Sequence, residues 1–220
     1  MIIGIYNIMI VNLKDIHFYI LNLAKHPKKK IFMEKQMEKL GYKYTFIEAI
    51  EARKPIGVGL SHLKALTQYN LKVPFAILED DCKFFDLENP KNIFNLPDNT
   101  DSLYLGQSVY GLREIDHLNI RWGGEFKVEY EIYNEHYLKV NCMLARHAIV
   151  YLSDKFHKNA IEACRKSLFK HFIPIPGDLS YGEMQKDHLV ITPNNPICYQ
   201  SEHHGGFAKQ TKYSILDIKK

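Results

Sequence analysis

The chain has 220 residues, 46% hydrophobic and 25% charged, with a formal net charge of +4. That size suits one domain with a sizeable core, and the balance excludes a disordered or fibrous chain. The basic residues are dispersed apart from Lys28, Lys29 and Lys30, and no aromatic-basic RNA motif occurs, so the expectation is no nucleic acid and an anionic small-molecule partner.

Residues 1–16 open with "MIIGIYNIMIVNL", apolar but shorter than the ~18 residues of a membrane span. Without a basic n-region or a small-residue cleavage site it does not read as a signal peptide. It reads as an extra strand or terminal extension, with peripheral membrane contact as the alternative. "HFYILNL" (17–23) predicts a buried strand. A helix follows, with Pro27 in its first turn, Met33, Met37 and Leu40 on one face, and Gly41 as its stop. "YKYTFIEAI" (42–50) predicts a second strand, and "GLSHLKALTQYNL" (59–71) a helix with Leu60, Leu63 and Leu66 inward. "VPFAILED" (73–80) predicts a third strand. A β-α-β-α-β order predicts an α/β fold, a single domain with a mostly parallel central sheet and flanking helices.

The second half is less regular. "DSLYLG" (101–106) predicts a buried strand with Asp101 at its start, and "FKVEYEIY" (126–133) a half-exposed antiparallel one. "HYLKVNCMLA" (136–145) predicts a central strand. Residues 146–156 and 157–172 predict helices broken around Ser153 and Asp154, with an N-cap there. "IPIPGDLSYGE" predicts a loop entering a short helix, and "HLVITPNNPICYQ" (188–200) a last strand. The four cysteines form no CxxC pair, so reduced thiols are expected rather than a zinc site or disulfide framework.

The informative stretch is "PFAILEDDCKF" (74–84), where an apolar strand runs into Glu79, Asp80 and Asp81. Ligands of open α/β sheets bind beyond the carboxyl ends of the strands. Alternation would send Glu79 and Asp81 to one side and Asp80 to the other. Converging carboxylates need a cation, and hard ions such as Mg²⁺ or Mn²⁺ take one or two carboxylates plus substrate phosphates. An acidic surface turn is the plainer alternative.

Two further segments combine with this one. "FYILNLAKHPKKK", "GVGLSHLKAL" and "FAILEDDCKF", in that order, resemble glycosyltransferase family 25, the lipooligosaccharide-biosynthesis and collagen-galactosyltransferase group. The match lies in Ile20 to Leu23, in Gly57 to Ser61-His62, and in Leu78 to Asp81, within residues 17–85. The resemblance implies a GT-A-like (Rossmann-like) domain over 17–220. Residues 17–106 would form its nucleotide-sugar-binding half and 107–220 its acceptor-side half. It implies a metal-dependent, inverting transferase that uses a UDP-linked hexose and a glycan or glycoprotein acceptor, with Mn²⁺ or Mg²⁺ on the diphosphate. A cytoplasmic location is expected, in the host if the source is viral, or at the cytoplasmic face of a membrane. By position Glu79 and Asp80 meet the donor; Glu79 and Asp81 are the metal candidates, with His203 or His204 joining late. Asp178 is the candidate general base and Glu183 its runner-up. The family's arginines are replaced by Lys29 and Lys30, which lose the bidentate fork.

Other candidates carry a plain structural alternative. Asn22 and Leu23 sit where a nucleobase or ribose would lie, or form a turn. Gly57 and Gly59 admit a diphosphate, or are a plain loop. Ser61 and His62 touch the donor or brace the helix start; neighbours on a helix do not face each other, which argues against a catalytic dyad. Gln107 and Ser108 are acceptor-lining candidates, and Trp122 offers a ring for a sugar or for the core. Two further functions are weighed. One is a catalytically inactive relative that binds a nucleotide sugar or glycan. The other is a metal phosphohydrolase, disfavoured because Asn22-Leu23-Ala24 supply no acid after the first strand.

Overall fold

The computed structural model describes residues 7–53, 55–69, 71–109, 119–120, 124–125, 128–170, 176–206 and 211–217. In chain order its elements are β1 (Ile8–Asn12), β2 (His17–Asn22), α1 (Pro27–Leu40), β3 (Lys43–Glu48), α2 (Ile56–Gln68), β4 (Phe75–Glu79), β5 (Cys82–Phe84), β6 (Ile93–Pro97), β7 (Ser102–Tyr104), β8 (Asn119–Ile120), β9 (Gly124–Glu125), β10 (Glu129–Ile132), β11 (Tyr137–Cys142), β12 (Ala148–Tyr151), α3 (Asp154–Arg165), α4 (Gly177–Gln185), β13 (Val190–Pro193) and β14 (Cys198–Gln200). A π-helical turn, Lys166–Lys170, extends α3, and a 3₁₀ turn, Glu202–His204, follows β14.

The result is an α/β fold on an eight-stranded sheet of order β10-β11-β13-β7-β12-β4-β2-β3. It is mixed, not mostly parallel. β4, β2 and β3 are parallel, as the β-α-β-α-β order requires, and so are β13 and β7. β12 runs antiparallel to both β4 and β7, and β11 antiparallel to both β10 and β13. The difference comes from residues 148–151, expected as helix and found as the strand between β4 and β7. A four-residue apolar run has too few positions to separate the two periods. The N-cap at Ser153 is where expected: its hydroxyl accepts the Phe156 N–H at 3.1 Å. β11 lies one strand in from the edge, not at the centre. The last strand is two, β13 and β14, because Pro193 and Pro196 cannot donate to a ladder.

β4 is buried along Phe75–Leu78 because both its faces are covered. Phe75 and Ile77 join a core with Ala65 and Leu66 of α2 and Phe156, Ala160 and Cys164 of α3. Ala76 and Leu78 join the opposite core, with Met33, Met37 and Leu40 of α1 and Phe94 and Leu96 of β6. Gly41 ends α1 with φ +68°, a left-handed conformation that glycine adopts without a Cβ clash. β1 and β6 form a separate antiparallel pair. β5 and β14 form another, which carries the chain away from the acids.

Asp101 ties the start of β7 to two neighbours. Its Oδ1 accepts from Ser153 Oγ at 2.5 Å and its Oδ2 from the Leu189 N–H at 3.0 Å, with His188 Nδ1 at 3.1 Å. Burial pushes its pKa up, but Ser153, the Leu189 N–H and His188 outweigh this and leave it below the usual carboxylate value. A lowered folded pKa stabilises above the unfolded pKa, about 3.9, and that stability fades as pH falls through the folded value. Asp101→Asn is therefore expected to cost about 1.5–3 kcal/mol in urea unfolding at pH 7. The gap from wild type should narrow at pH 3.

Candidate functional site

The sheet geometry sorts the acids. Alternation along β4 turns Glu79, like Phe75 and Ile77, toward α2, where His62 waits. His62 Nε2 lies 3.0 Å from Glu79 Oε1, and Gln200 Nε2 donates to Glu79 Oε2 at 3.3 Å. Asp80 is met from the α1 side. Lys29 Nζ donates to its Oδ1 at 2.8 Å and Asn22 Nδ2 to its Oδ2 at 2.9 Å. Beyond Glu79 the strand ends and a turn follows, and the Glu79 charge still acts on Asp81. The Asp81 carbonyl accepts the Ser201 N–H at 2.7 Å, its side chain is buried, and its Oδ1 has no hydrogen-bond partner.

Glu79 and Asp80 thus find partners that are remote in sequence. Burial and then the Arg146 charge lower the His62 pKa, against the pull of Glu79, so the ring is neutral and donates through Nε2–H. Its other nitrogen, Nδ1, is buried without a partner, which suits a bare lone pair better than an N–H. Burial raises the Glu79 pKa, but the His62 hydrogen bond, with Arg146 and His147, outweighs this and keeps it ionised. Asp81 goes the other way: burial, then the Glu79 charge, pushes it up to about 7.

Four residues of this network were not singled out in the sequence. Arg146 and His147 lie between β11 and β12, and reading residues 146–151 as helix hid them. Arg146 is buried, with Nε 3.0 Å from Asp178 Oδ1 and its guanidinium 5.2 Å from the Tyr181 ring centre. It packs against Gly177 so closely that a Cβ there would lie 2.1 Å from Nη1. His147 packs as closely on Gly106, and its carbonyl accepts the Glu79 N–H at 2.9 Å. Burial lowers the His147 pKa, but Cys198, Glu79 and Asp81 outweigh this and raise it. Burial also raises the Cys198 thiol, yet Cys82 and His147 outweigh it and bring it down to about 6. The fourth is Gln200, on Glu79. The one signal in the sequence was a basic pair, Arg146-His147, directly before the β-forming run Ala148–Tyr151.

The remaining candidates separate. Asp178, in the first turn of α4, joins the network through Arg146 with its side chain 40% exposed. Glu183 does not join it. It pairs with Lys166 and lines a surface pocket with Asn159 and Glu162. Leu23 forms a turn, its carbonyl accepting the His26 N–H at 2.8 Å. Lys30 turns to Glu34 and lies 5.2 Å from the Phe46 ring centre, away from the acids. Gly57 and Gly59 are inside α2, which begins three residues earlier than expected and buries Ser61 and His62 more deeply than Leu60 and Leu63. Their closeness serves the protein's own packing. A Cβ at Gly57 would meet Ala52 O at 2.8 Å, and one at Gly59 would meet Leu168 at 2.9 Å. Ser61 Oγ donates to Gly57 O and accepts the Ile50 N–H, bracing the helix start. Gln107 is buried and bonds Pro193 O and the Ile215 N–H, so it fastens the fold instead of lining an open pocket. Ser108 is also buried. His204 packs against Phe32 with ring centres 4.0 Å apart and tilted, and burial, with Lys29, lowers its pKa; His203 is exposed. Trp122 lies outside the described residues.

Among the described residues no group of three or more His, Cys, Asp or Glu is arranged to hold a metal ion, so an all-protein cage does not fit. Both Glu79 oxygens and both Asp80 oxygens already have protein partners. Asp81 alone of the three keeps an unpartnered buried oxygen. A hard divalent ion sharing that carboxylate with phosphate oxygens does fit, since Mg²⁺ commonly takes one or two carboxylates and completes its shell from substrate and water.

No protein-family model matches this chain, and no curated protein matches it. Among solved structures it is similar to the crystal structure of a glycosyltransferase involved in the glycosylation of the major capsid of PBCV-1. That similarity has 15% identity and a TM-score of 0.37, and it covers 81% of this chain and 93% of that one. A likeness so distant does not bear on the chemistry of the acidic turn.

The raised Asp81 pKa has a stability consequence. The protonated carboxyl stabilises fully below the unfolded pKa, about 3.9, and that contribution is lost as pH rises through about 7. In EDTA, the wild-type Tm is expected to fall relative to that of Asp81→Asn between pH 5 and pH 8. Parallel Tm curves for the two proteins would show that Asp81 does not titrate in this window.

Proposed function

We propose that the protein is a metal-dependent glycosyltransferase that moves a hexose from a UDP-sugar to a hydroxyl of a glycan or protein, with inversion. The observation that carries this reading is the unpartnered buried oxygen of Asp81 at the carboxyl end of β4, in the parallel part of the sheet. The ordered resemblance of residues 17–85 to family 25 supports it. So does Asp178, a partly exposed carboxylate fixed by a buried arginine and joined to the same network.

Each residue then has a task. Asp81, with His203 or His204, would hold the ion; when bound, the ion offsets the negative charge that develops on the departing diphosphate. Glu79 is held ionised by His62 and Gln200, so it keeps the local potential negative and favours a cation at Asp81. Lys29 and Asn22 hold Asp80 at the end of β2, the edge where a nucleotide would lie. Asp178 takes the proton of the attacking acceptor hydroxyl. Arg146 fixes that carboxylate's orientation, as a general base needs. One base on one face of the sugar is what a single in-line displacement requires.

A second reading, an inactive relative that binds a nucleotide sugar without turnover, is favoured by one observation: Lys29 is committed to Asp80 and not to an open phosphate site.

The decisive assay is UDP release from several UDP-sugars with Mn²⁺ and with chelator. Wild type should be active only with the metal, and Asp81→Ala should lose that activity. Asp178→Asn should lower kcat by about 10²–10⁴-fold with donor binding unchanged. Metal-independent donor binding without turnover, for every donor and acceptor tried, would replace the first reading with the second. Full metal-dependent activity in Asp81→Ala would remove Asp81 from the metal site.

A further inference from the structure

A second cavity, apart from the acids, has the make-up of a sugar subsite. It encloses about 300 Å³ between β5, the loop after it, and the ends of β11 and β13. That lies at the lower end of the range of small-molecule pockets. One wall is aromatic, formed by Tyr42, Phe84 and Phe85. Phe84 is buried, but Phe85 is 45% exposed, and its ring packs beside Tyr199 with centres 4.8 Å apart. The other wall carries Asp86, Asn194 and Asn195.

The polar wall is held in place by bonds within the protein. Asn194 donates its backbone N–H to His136 O at 2.9 Å and its side-chain amide to Glu135 O at 2.8 Å. Its side-chain oxygen, Oδ1, is buried and has no hydrogen-bond partner. Asp86 Oδ1 accepts the N–H groups of Glu88 and Asn89, both at 2.9 Å, which fixes the loop. The Phe85 N–H donates to Ile197 O at 3.0 Å, so the aromatic wall is anchored too. Fixed walls reduce the ordering cost of binding.

The chemistry selects the class of ligand. Lys91 offsets part of the charge of Asp86 and Glu135 around the rim, so no strong charge selects an ion. A lining that combines an exposed aromatic ring, Phe85, with amide and carboxylate groups matches a pyranose, which has an apolar C–H face and a rim of hydroxyls. Asn195, which lines the cavity and is exposed, offers an amide that a sugar hydroxyl would bond.

Position links this cavity to the acids. β5 starts directly after Asp81 and ends at Phe84, three residues on, so the acidic turn and the aromatic wall are about 10 Å apart along an extended strand. The partner strand β14 runs back to Gln200, which touches Glu79. We propose that this cavity binds a neutral sugar unit of an oligosaccharide acceptor whose far end reaches the acidic turn. The acceptor role rests on the transferase reading; the sugar site itself does not.

The test is saturation-transfer NMR in EDTA, without nucleotide, using glucose, galactose, mannose, N-acetylglucosamine, lactose and cellobiose. Wild type and Asp81→Asn should both bind at least one of these sugars. Phe85→Ala and Asn195→Trp, the latter filling the cavity from an exposed position, should weaken that binding at least tenfold with Tm unchanged. If Phe85→Ala fails to fold, Asn195→Trp decides alone. The proposal is overturned if wild type binds none of these sugars, or if Asp81→Asn abolishes binding while the cavity variants keep it. In the UDP-release assay both cavity variants should raise the acceptor KM and leave the donor KM unchanged. An unchanged acceptor KM would overturn the acceptor role. Sugar binding lost in the cavity variants, with no UDP release by wild type, would uphold the sugar site while the transferase reading fell.

Discussion

The two-faced burial of β4 governs both the core and the charged site. Because both faces are covered, the strand must be apolar up to Leu78, and its first carboxylates must leave toward opposite layers. Glu79 leaves toward α2 and Asp80 toward the α1 side. The residues waiting there, His62 and Lys29, are set by how each helix docks on the sheet. The packing of the apolar half therefore places the charges of the polar half.

The electrostatics follow from this division of partners. Carboxylates adjacent in sequence repel one another, and the fold relieves this with different means for each. Glu79 is stabilised by a neutral histidine's hydrogen bond and by Arg146 at longer range, Asp80 by an ammonium group. At Asp81, burial and the Glu79 charge outweigh the pull of Lys29 and His147, and the carboxyl is held toward its protonated form. Such a carboxyl is poised to release its proton when a cation arrives. A perturbed pKa beside an unpartnered oxygen is a better guide to a functional group than acidity in the sequence alone. The close packing of His147 on Gly106 and of Arg146 on Gly177 shows how tightly the basic side of the network is built.

Much of the parallel half was readable in the sequence. The β-α-β-α-β order, the inward face of α1, the stop at Gly41 and the cap at Ser153 each rest on local periodicity or on one residue's conformational preference. Such signals need no knowledge of the rest of the chain. The second half resisted because its strands are short and its order in space departs from its order in sequence. β12 is four residues long and lies between β4 and β7, strands that precede it by many residues. Nothing local distinguishes such a segment from a helical turn, and with it went the roles of Arg146 and His147.

The sequence by itself determined that an apolar strand would end in carboxylates at the ligand edge of an α/β sheet, because hydrophobic period and charge are local properties. Only the tertiary structure decided what each carboxylate does, because the partners come from α1, α2, β14 and the β11–β12 connection. Three acids adjacent in the chain meet different partners in the fold. Two have their oxygens bonded by the protein, and the third, Asp81, is left with a buried oxygen unpartnered.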